Sequence, residues 1–258
     1  MITFKNILEE HNYESESRAT IFSEFSNENL KLAFKKCLGI LPLDINGRTE
    51  IWRGNKYLNK NSIYLIAPSH HERKSLDTAY NYYTLLIDNS NYWKEYPRRS
   101  QSLICSNSMG DAMSYGRIFR VVPRENACIG VCPESDILNG FHKGLDILSG
   151  IIDSIETFGI HISADLIFFN LFLYKLIDTP GNITDDFYEL KNKLQNCKLS
   201  DRETRLMNEK GFDNLYDLID YCLSPKLNGF KLMNYDNDFN LYGNHEIWTD
   251  SNALMFSY

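Results

Sequence analysis

A change of pattern along the chain constrains its fold more than any single motif. From Glu50 to Val131, short alternating apolar runs follow one another: Glu50-Ile51-Trp52-Arg53, Ser100 to Ser106, Ile118 to Val122 and Ala127 to Val131. Period-two alternation is what a half-buried strand requires. From Gly144 to Ser224 that alternation gives way to helical spacing, as in Leu145 to Ile155 and Phe212 to Leu223. Strand character resumes from Phe239 to Tyr258. Strands, a helical block and then more strands predict an α+β protein whose strand core is split around a helical insertion.

The punctuation supports this division. Phe4 to Lys36 is charged and amphipathic, with Leu30, Leu32 and Phe34 near its end, and reads as one or two helices. Gly39 to Gly47, with Pro42 inside, reads as a connector. Gly54 closes the first strand, and its missing side chain would let the backbone approach a ligand. Asp77 to Asp88 and Asp111 to Tyr115 read as helical, and Pro123 to Asn126 as a turn. The expected layout is a single domain: N-terminal helices over 1–48, the split β core over 49–141 and 231–258, and the helical insertion over 142–230.

Composition excludes some function classes. The chain has 258 residues, 43% hydrophobic and 24% charged, with a formal net charge of −7. That balance disfavours non-specific nucleic-acid binding, which needs clustered Lys and Arg. It leaves RNA or an RNA-binding protein open as a substrate. The apolar stretch Ile160 to Ile177 contains His161, Asp165, Asn170 and Lys175, so it reads as a buried helix and not a membrane span. The opening Met1 to Asn6 lacks the apolar core of a secretory signal, which points to the cytoplasm, or the host cytoplasm for a phage-encoded or delivered protein. The six cysteines lack zinc-site spacing and lie mostly in apolar runs, as expected of reduced buried thiols. His70-His71-Glu72 lacks the i, i+4 histidine pair of a zincin, and reads as an exposed loop. No glycine-rich phosphate loop and no Gly-x-Ser-x-Gly elbow is present.

Three short segments carry the chemistry. Ile51-Trp52-Arg53-Gly54 puts an arginine on a strand, where its planar fork can donate in bidentate fashion to a diphosphate. Leu103 to Ser108 ends a strand in Ser106-Asn107-Ser108, and Gly243 to Trp248 puts Glu246 on a near-final strand. A carboxylate there could stabilise a developing positive charge electrostatically. The nearby Cys132-Pro133-Glu134-Ser135-Asp136 is a second acidic cluster; the resemblance described next implies an intervening strand and loop for which Glu134 follows Ser106 too closely.

An arginine strand, a Ser-x-Ser strand and a glutamate strand, in that order, resemble the Arg-Ser-Glu class of mono-ADP-ribosyltransferases. The small phage and bacterial enzymes of the Mod and Alt type are the most similar in character. The resemblance covers about Glu50 to Ile137 and Tyr242 to Phe256 and implies two small packed β-sheets around an NAD cleft. It implies that Arg53 and Gly54 meet NAD, that Ser106 braces the catalytic carboxylate and shapes the ribose pocket with Ser108, and that Glu246 stabilises the ribosyl cation. Asn107 stands where the family usually has Thr. Asn244 stands where arginine-specific members carry a second glutamate, so no evident base exists for a guanidinium acceptor. Tyr242, near the end of the Asn234 to Gly243 loop, would help select the acceptor. Phe119 and Phe141 are candidates to stack on nicotinamide or to fill the core. The expected activity is transfer of ADP-ribose from NAD, as co-substrate and without a metal, to a macromolecular acceptor such as a protein. Two rivals are an NAD glycohydrolase and a non-catalytic binding or inhibitor module.

Overall fold

The described residues form nine strands, several of them from the alternating runs. They are β1 (Ala19–Glu24), β2 (Ile51–Asn55), β3 (Ser62–Ile66), β4 (Leu103–Ser106), β5 (Arg117–Pro123), β6 (Cys128–Val131), β7 (Lys231–Asn234), β8 (Glu246–Thr249) and β9 (Ala253–Ser257). The structure is a computed structural model and describes residues 19–39, 45–68, 82–152, 169, 173 and 187–257. The α-helices with described bounds are α1 (Asn27–Ala33), α2 (Tyr82–Asn89), α3 (Met109–Met113), α4 (His142–Ile151), α5 (Phe187–Gln195), α6 (Asp201–Glu209), α7 (Leu215–Cys222) and α8 (Pro225–Asn228). The protein is therefore a mixed α+β chain. No described helix is long and apolar enough to cross a membrane.

The strands form one sheet in the order β1-β3-β9-β5-β2-β4-β8-β6-β7. Every ladder is antiparallel. This corrects the expectation of two separate small sheets. The reason is a single junction: β2 and β4 pair only at Trp52↔Ser106, whereas β2 pairs with β5 over five positions and β4 with β8 over four. That one pair joins a five-stranded half to a four-stranded half.

The N-terminal helical reading also changes. Ala19-Thr20-Ile21-Phe22-Ser23-Glu24 is a strand that covers the edge of β3, and among the described residues helix starts at Asn27, where the Ser26 hydroxyl accepts the Asn29 N–H at 3.1 Å. Thr, Ile and Phe favour a pleated surface, so an available sheet edge outweighs the amphipathic spacing. The strand expected from Ser100 starts later, because Arg99–Gln101 forms a 3₁₀ turn. The N-terminal residues 1–18, the His70-His71-Glu72 segment and most of Ile160 to Ile177 lie outside the described residues. Phe169 and Leu173 within that last stretch are helical and fully buried.

The chain divides into two compact units. The first comprises Met1–Leu76, Tyr96–Asp136 and Lys231–Tyr258; the second comprises Asp77–Glu95 and Ile137–Phe230. The sheet lies wholly in the first. Its core joins Phe34 and Leu38 to Ile51, Ile63, Phe119, Val121, Ile247, Leu254 and Phe256. The described residues of the second unit contain no strand. There Gly144 lets α4 approach α7, for a Cβ would lie 1.7 Å from the Cys222 carbonyl oxygen. The Asn228 amide ties the same place together, accepting the Gly144 N–H and donating to the Cys222 and Ser224 carbonyls. Phe141 packs with Trp93 and Phe230 in this unit, and Phe119 packs edge-on against Tyr64 in the sheet unit. Both are fully buried core residues.

Gly130 on β6 faces Trp248 on β8, and a Cβ there would lie 2.2 Å from the indole. The indole cannot yield freely: its Nε1 donates to the Pro97 carbonyl at 3.0 Å and Tyr96 stacks on it. Gly130→Ala is expected to lower stability by about 1–3 kcal/mol through overpacking. Urea unfolding checks this, and an unchanged midpoint would show that the indole has room to move.

Candidate functional site

Alternation separates the singled-out residues before any tertiary effect is considered. Trp52, Ser106 and Glu246 sit opposite one another across β2, β4 and β8, and so point to one face; Arg53 and Cys105 point to the other. All five nevertheless line one cleft of about 390 Å³, together with Gly54, Arg99, Asp111, Ser135 and Asp136. A cleft can gather both faces only where strands part. The one-pair ladder between β2 and β4 is that place.

The volume falls within the range of small-molecule sites. The lining carries both charge signs: two guanidiniums, Arg53 and Arg99, and three carboxyl groups, Asp111, Asp136 and Glu246. Arg53 Nη1 donates to the Ile104 carbonyl, which fixes the arginine across the gap between β2 and β4. Burial pushes the Arg53 pKa below its ordinary value, and the neighbouring Cys105 and Tyr115 oppose that shift. Among the described residues, no group of three or more His, Cys, Asp or Glu is arranged to hold a metal ion.

Glu246 is held on every side. Its N–H donates to the Glu134 carbonyl at 2.9 Å, and its own carbonyl accepts the Cys132 N–H at 2.9 Å. Its Oε1 lies 2.6 Å from Arg99 Nη2, with side-chain exposures of 14% for Glu246 and 5% for Arg99. The Ser106 hydroxyl takes a different role from the expected brace on the carboxylate. It donates to the His245 carbonyl at 3.2 Å and accepts the Ser108 N–H at 3.0 Å, so it fixes the backbone just before Glu246. Ser108 caps α3 by accepting the Asp111 N–H. The space that a Cβ on Gly54 would take is filled by the Ala112 carbonyl oxygen, 2.0 Å away, so this glycine admits α3 against β2.

Asn107 has a defined task. Its amide donates to the Gly243 carbonyl at 2.8 Å and accepts the His245 N–H at 2.6 Å, clamping the turn around Asn244. The His245 ring lies between the Cys132 and Tyr242 carbonyls, 2.8 Å from each. Asn244 is exposed and lines no described cavity. Tyr242 is 87% exposed and borders a second depression with Lys231, Leu232, Met233 and Leu241. Of the second acidic cluster, Ser135 and Asp136 line the cleft, while Glu134 contributes its carbonyl to Glu246.

Arg99 is the site residue that sequence reading does not single out. Its only local signal is the Arg98-Arg99 pair shortly before the serine strand, and nothing in that pair says which arginine turns inward. Comparison with protein-family models, with curated proteins and with solved structures yields no match.

Burial keeps protons on the thiol of Cys105, which lines the cleft, and on that of Cys132, which bonds the Glu246 backbone. None of the six cysteines, all of them described, forms a disulfide. Burial pushes Cys105 and Cys132 from 9.0 up to about 12, with Arg53 opposing and Glu246 reinforcing the shift at Cys105. A thiol that ionises near 9 unfolded and near 12 folded keeps its proton longer in the folded state. Its contribution to stability is complete below pH 9 and is lost as pH rises toward 12. Urea midpoints should therefore fall across that interval. Iodoacetamide at about pH 8 should label neither Cys105 nor Cys132 until the protein is unfolded; labelling of either in the native protein would contradict the burial argument.

A second expectation concerns the clamp. Asn107→Ala removes both bonds to the Gly243–His245 turn and is expected to lower stability by about 1–3 kcal/mol. It should also speed amide hydrogen exchange at Gly243–Glu246. Exchange unchanged from the parent would mean that the turn holds itself.

Proposed function

We propose that this protein cleaves NAD at the nicotinamide–ribose bond and transfers ADP-ribose to a macromolecular acceptor, a protein being the acceptor class that the resemblance favours. The observation that supports this reading is the convergence of Arg53, Ser106 and Glu246 on one cleft, from three adjacent strands held in register. The mixed charge of the lining also suits the substrate, whose nicotinamide ring is cationic and whose diphosphate is anionic. Arg53 meets the diphosphate with the donors not engaged by Ile104. Glu246 accepts a hydrogen bond from a ribose hydroxyl and offsets the positive charge that grows on the ribose as the bond breaks. The bonding electrons leave with nicotinamide, which departs neutral. The acceptor's lone pair then forms the new bond to the anomeric carbon, and the acceptor's proton goes to solvent.

Asn244 supports one refinement. It is exposed at the turn just before Glu246 and offers no carboxylate to deprotonate a guanidinium, so an acceptor other than arginine is favoured. Water as the acceptor would make the protein a glycohydrolase.

Labelled NAD incubated with the purified protein and a bacterial lysate tests the reading. Discrete labelled protein bands are expected, reduced about 10²–10³-fold by Glu246→Gln, the scale of losing one electrostatic stabiliser. A thermal melt confirms that the variant is folded. Nicotinamide release without bands would identify hydrolysis. Neither signal from the parent protein would overturn the catalytic reading and leave a binding module.

A further inference from the structure

For Glu246 to act on a ribose, one carboxylate oxygen must be fixed and the other presented. The Ser106 hydroxyl makes no hydrogen bond to the carboxylate; it donates to the His245 carbonyl. The described contact is with Arg99, whose Nη2 lies 2.6 Å from Glu246 Oε1. Oε1 is itself buried and accepts no hydrogen bond, so the Arg99 contact holds it as an ion pair, and the exposure that Glu246 retains comes from its other atoms.

Arg99 in turn has a built seat. Its guanidinium carbon lies 5.5 Å from the centre of a Trp248 ring, a cation–π placement that a planar guanidinium accepts while its edge still donates. Trp248 lies two residues from Glu246 on β8, so both side chains leave the same face of the strand. The indole is anchored through Nε1 to the Pro97 carbonyl, by Tyr96 stacked at 6.3 Å, and by the gap over Gly130. The segment from Tyr96 to Arg99 thus grips β8 at Trp248 and at Glu246.

We infer that Arg99 is a positioning residue of this cleft. It holds Oε1 of Glu246 so that the remaining carboxylate oxygen meets the substrate. The inference rests on the NAD-cleaving function proposed above. A bound arginine also offsets the charge of Glu246, yet its seat against Trp248, on the same strand face as Glu246, keeps the guanidinium in register with the carboxylate, so orientation is the effect assigned to it.

Nicotinamide release from NAD, measured as kcat and KM, tests this in the parent protein, Arg99→Gln, Arg99→Lys, Glu246→Gln and the Arg99→Gln/Glu246→Gln pair. In Arg99→Gln, kcat should fall on the order of 100-fold, the scale of misplacing a catalytic group by about 1 Å, with KM nearly unchanged. Arg99→Lys, which keeps the charge without the fork, should recover part of that loss. The double variant should be no slower than Glu246→Gln alone, because Arg99 acts through the carboxylate. If Arg99→Gln does not fold, Arg99→Lys and the double variant, in which no buried charge is left unpaired, carry the comparison. A KM rise at constant kcat would make Arg99 a diphosphate ligand and overturn the inference. So would an unchanged kcat, or a double variant much slower than Glu246→Gln. An inactive parent protein would instead overturn the proposed function, and the inference with it.

Discussion

The architecture of this protein depends on one strand junction. β2 and β4 are neighbours in a nine-stranded sheet yet pair only at Trp52↔Ser106. A longer ladder there would have closed the sheet and left Arg53 and Glu246 on opposite faces. With one pair, the sheet stays continuous while the strands part beside it, and the opening collects side chains from both faces. The Arg53 bond to the Ile104 carbonyl spans this gap, so an arginine side chain supplies a cross-strand connection that the backbone does not.

A second theme is the way β8 is surrounded. It pairs with β4 on one side and β6 on the other, and its first residue is Glu246. The loop after β6 continues the pairing through Cys132 and Glu134, so the backbone of Glu246 is bonded beyond the formal end of the ladder. Trp248 fixes the middle of the strand. Side chains bound to a rigid strand can be held more narrowly than those on a free loop, which is what the role proposed for Glu246 requires. Tyr242 and Asn244, by contrast, are exposed on the preceding loop, where a macromolecule could meet them.

The readable part of the fold was the part governed by local pattern. β5, β6, α3 and α7 fall close to where alternation, helical spacing and turn residues predict them. The N-terminal strand β1 was misread because its neighbours are amphipathic and charged, and it is a strand only through β3. β7 falls inside the expected 231–258 core segment without being legible as a strand: Lys231-Leu232-Met233-Asn234 has little strand preference of its own and is organised by pairing with β6. At the cleft, Arg53, Ser106 and Glu246 stood out by residue type and order. The engagement of the Ser106 hydroxyl with the His245 carbonyl, and the filling of the Gly54 space by Ala112, could not be read, since both depend on ångström-scale approach between distant segments.

The amino-acid sequence alone determined the α+β class, the interruption of the strands by helices, and the residue types that meet at the cleft. These follow from periodicities of two and 3.6 and from side-chain chemistry, which are properties of each segment by itself. Tertiary structure alone decided that the strands form one sheet, that the sheet opens at Trp52↔Ser106, and that Arg99 is the residue against Glu246. Those outcomes are choices among partners far apart in the chain. Local pattern is equally compatible with several pairings, and only simultaneous packing of the strands around one core selects among them.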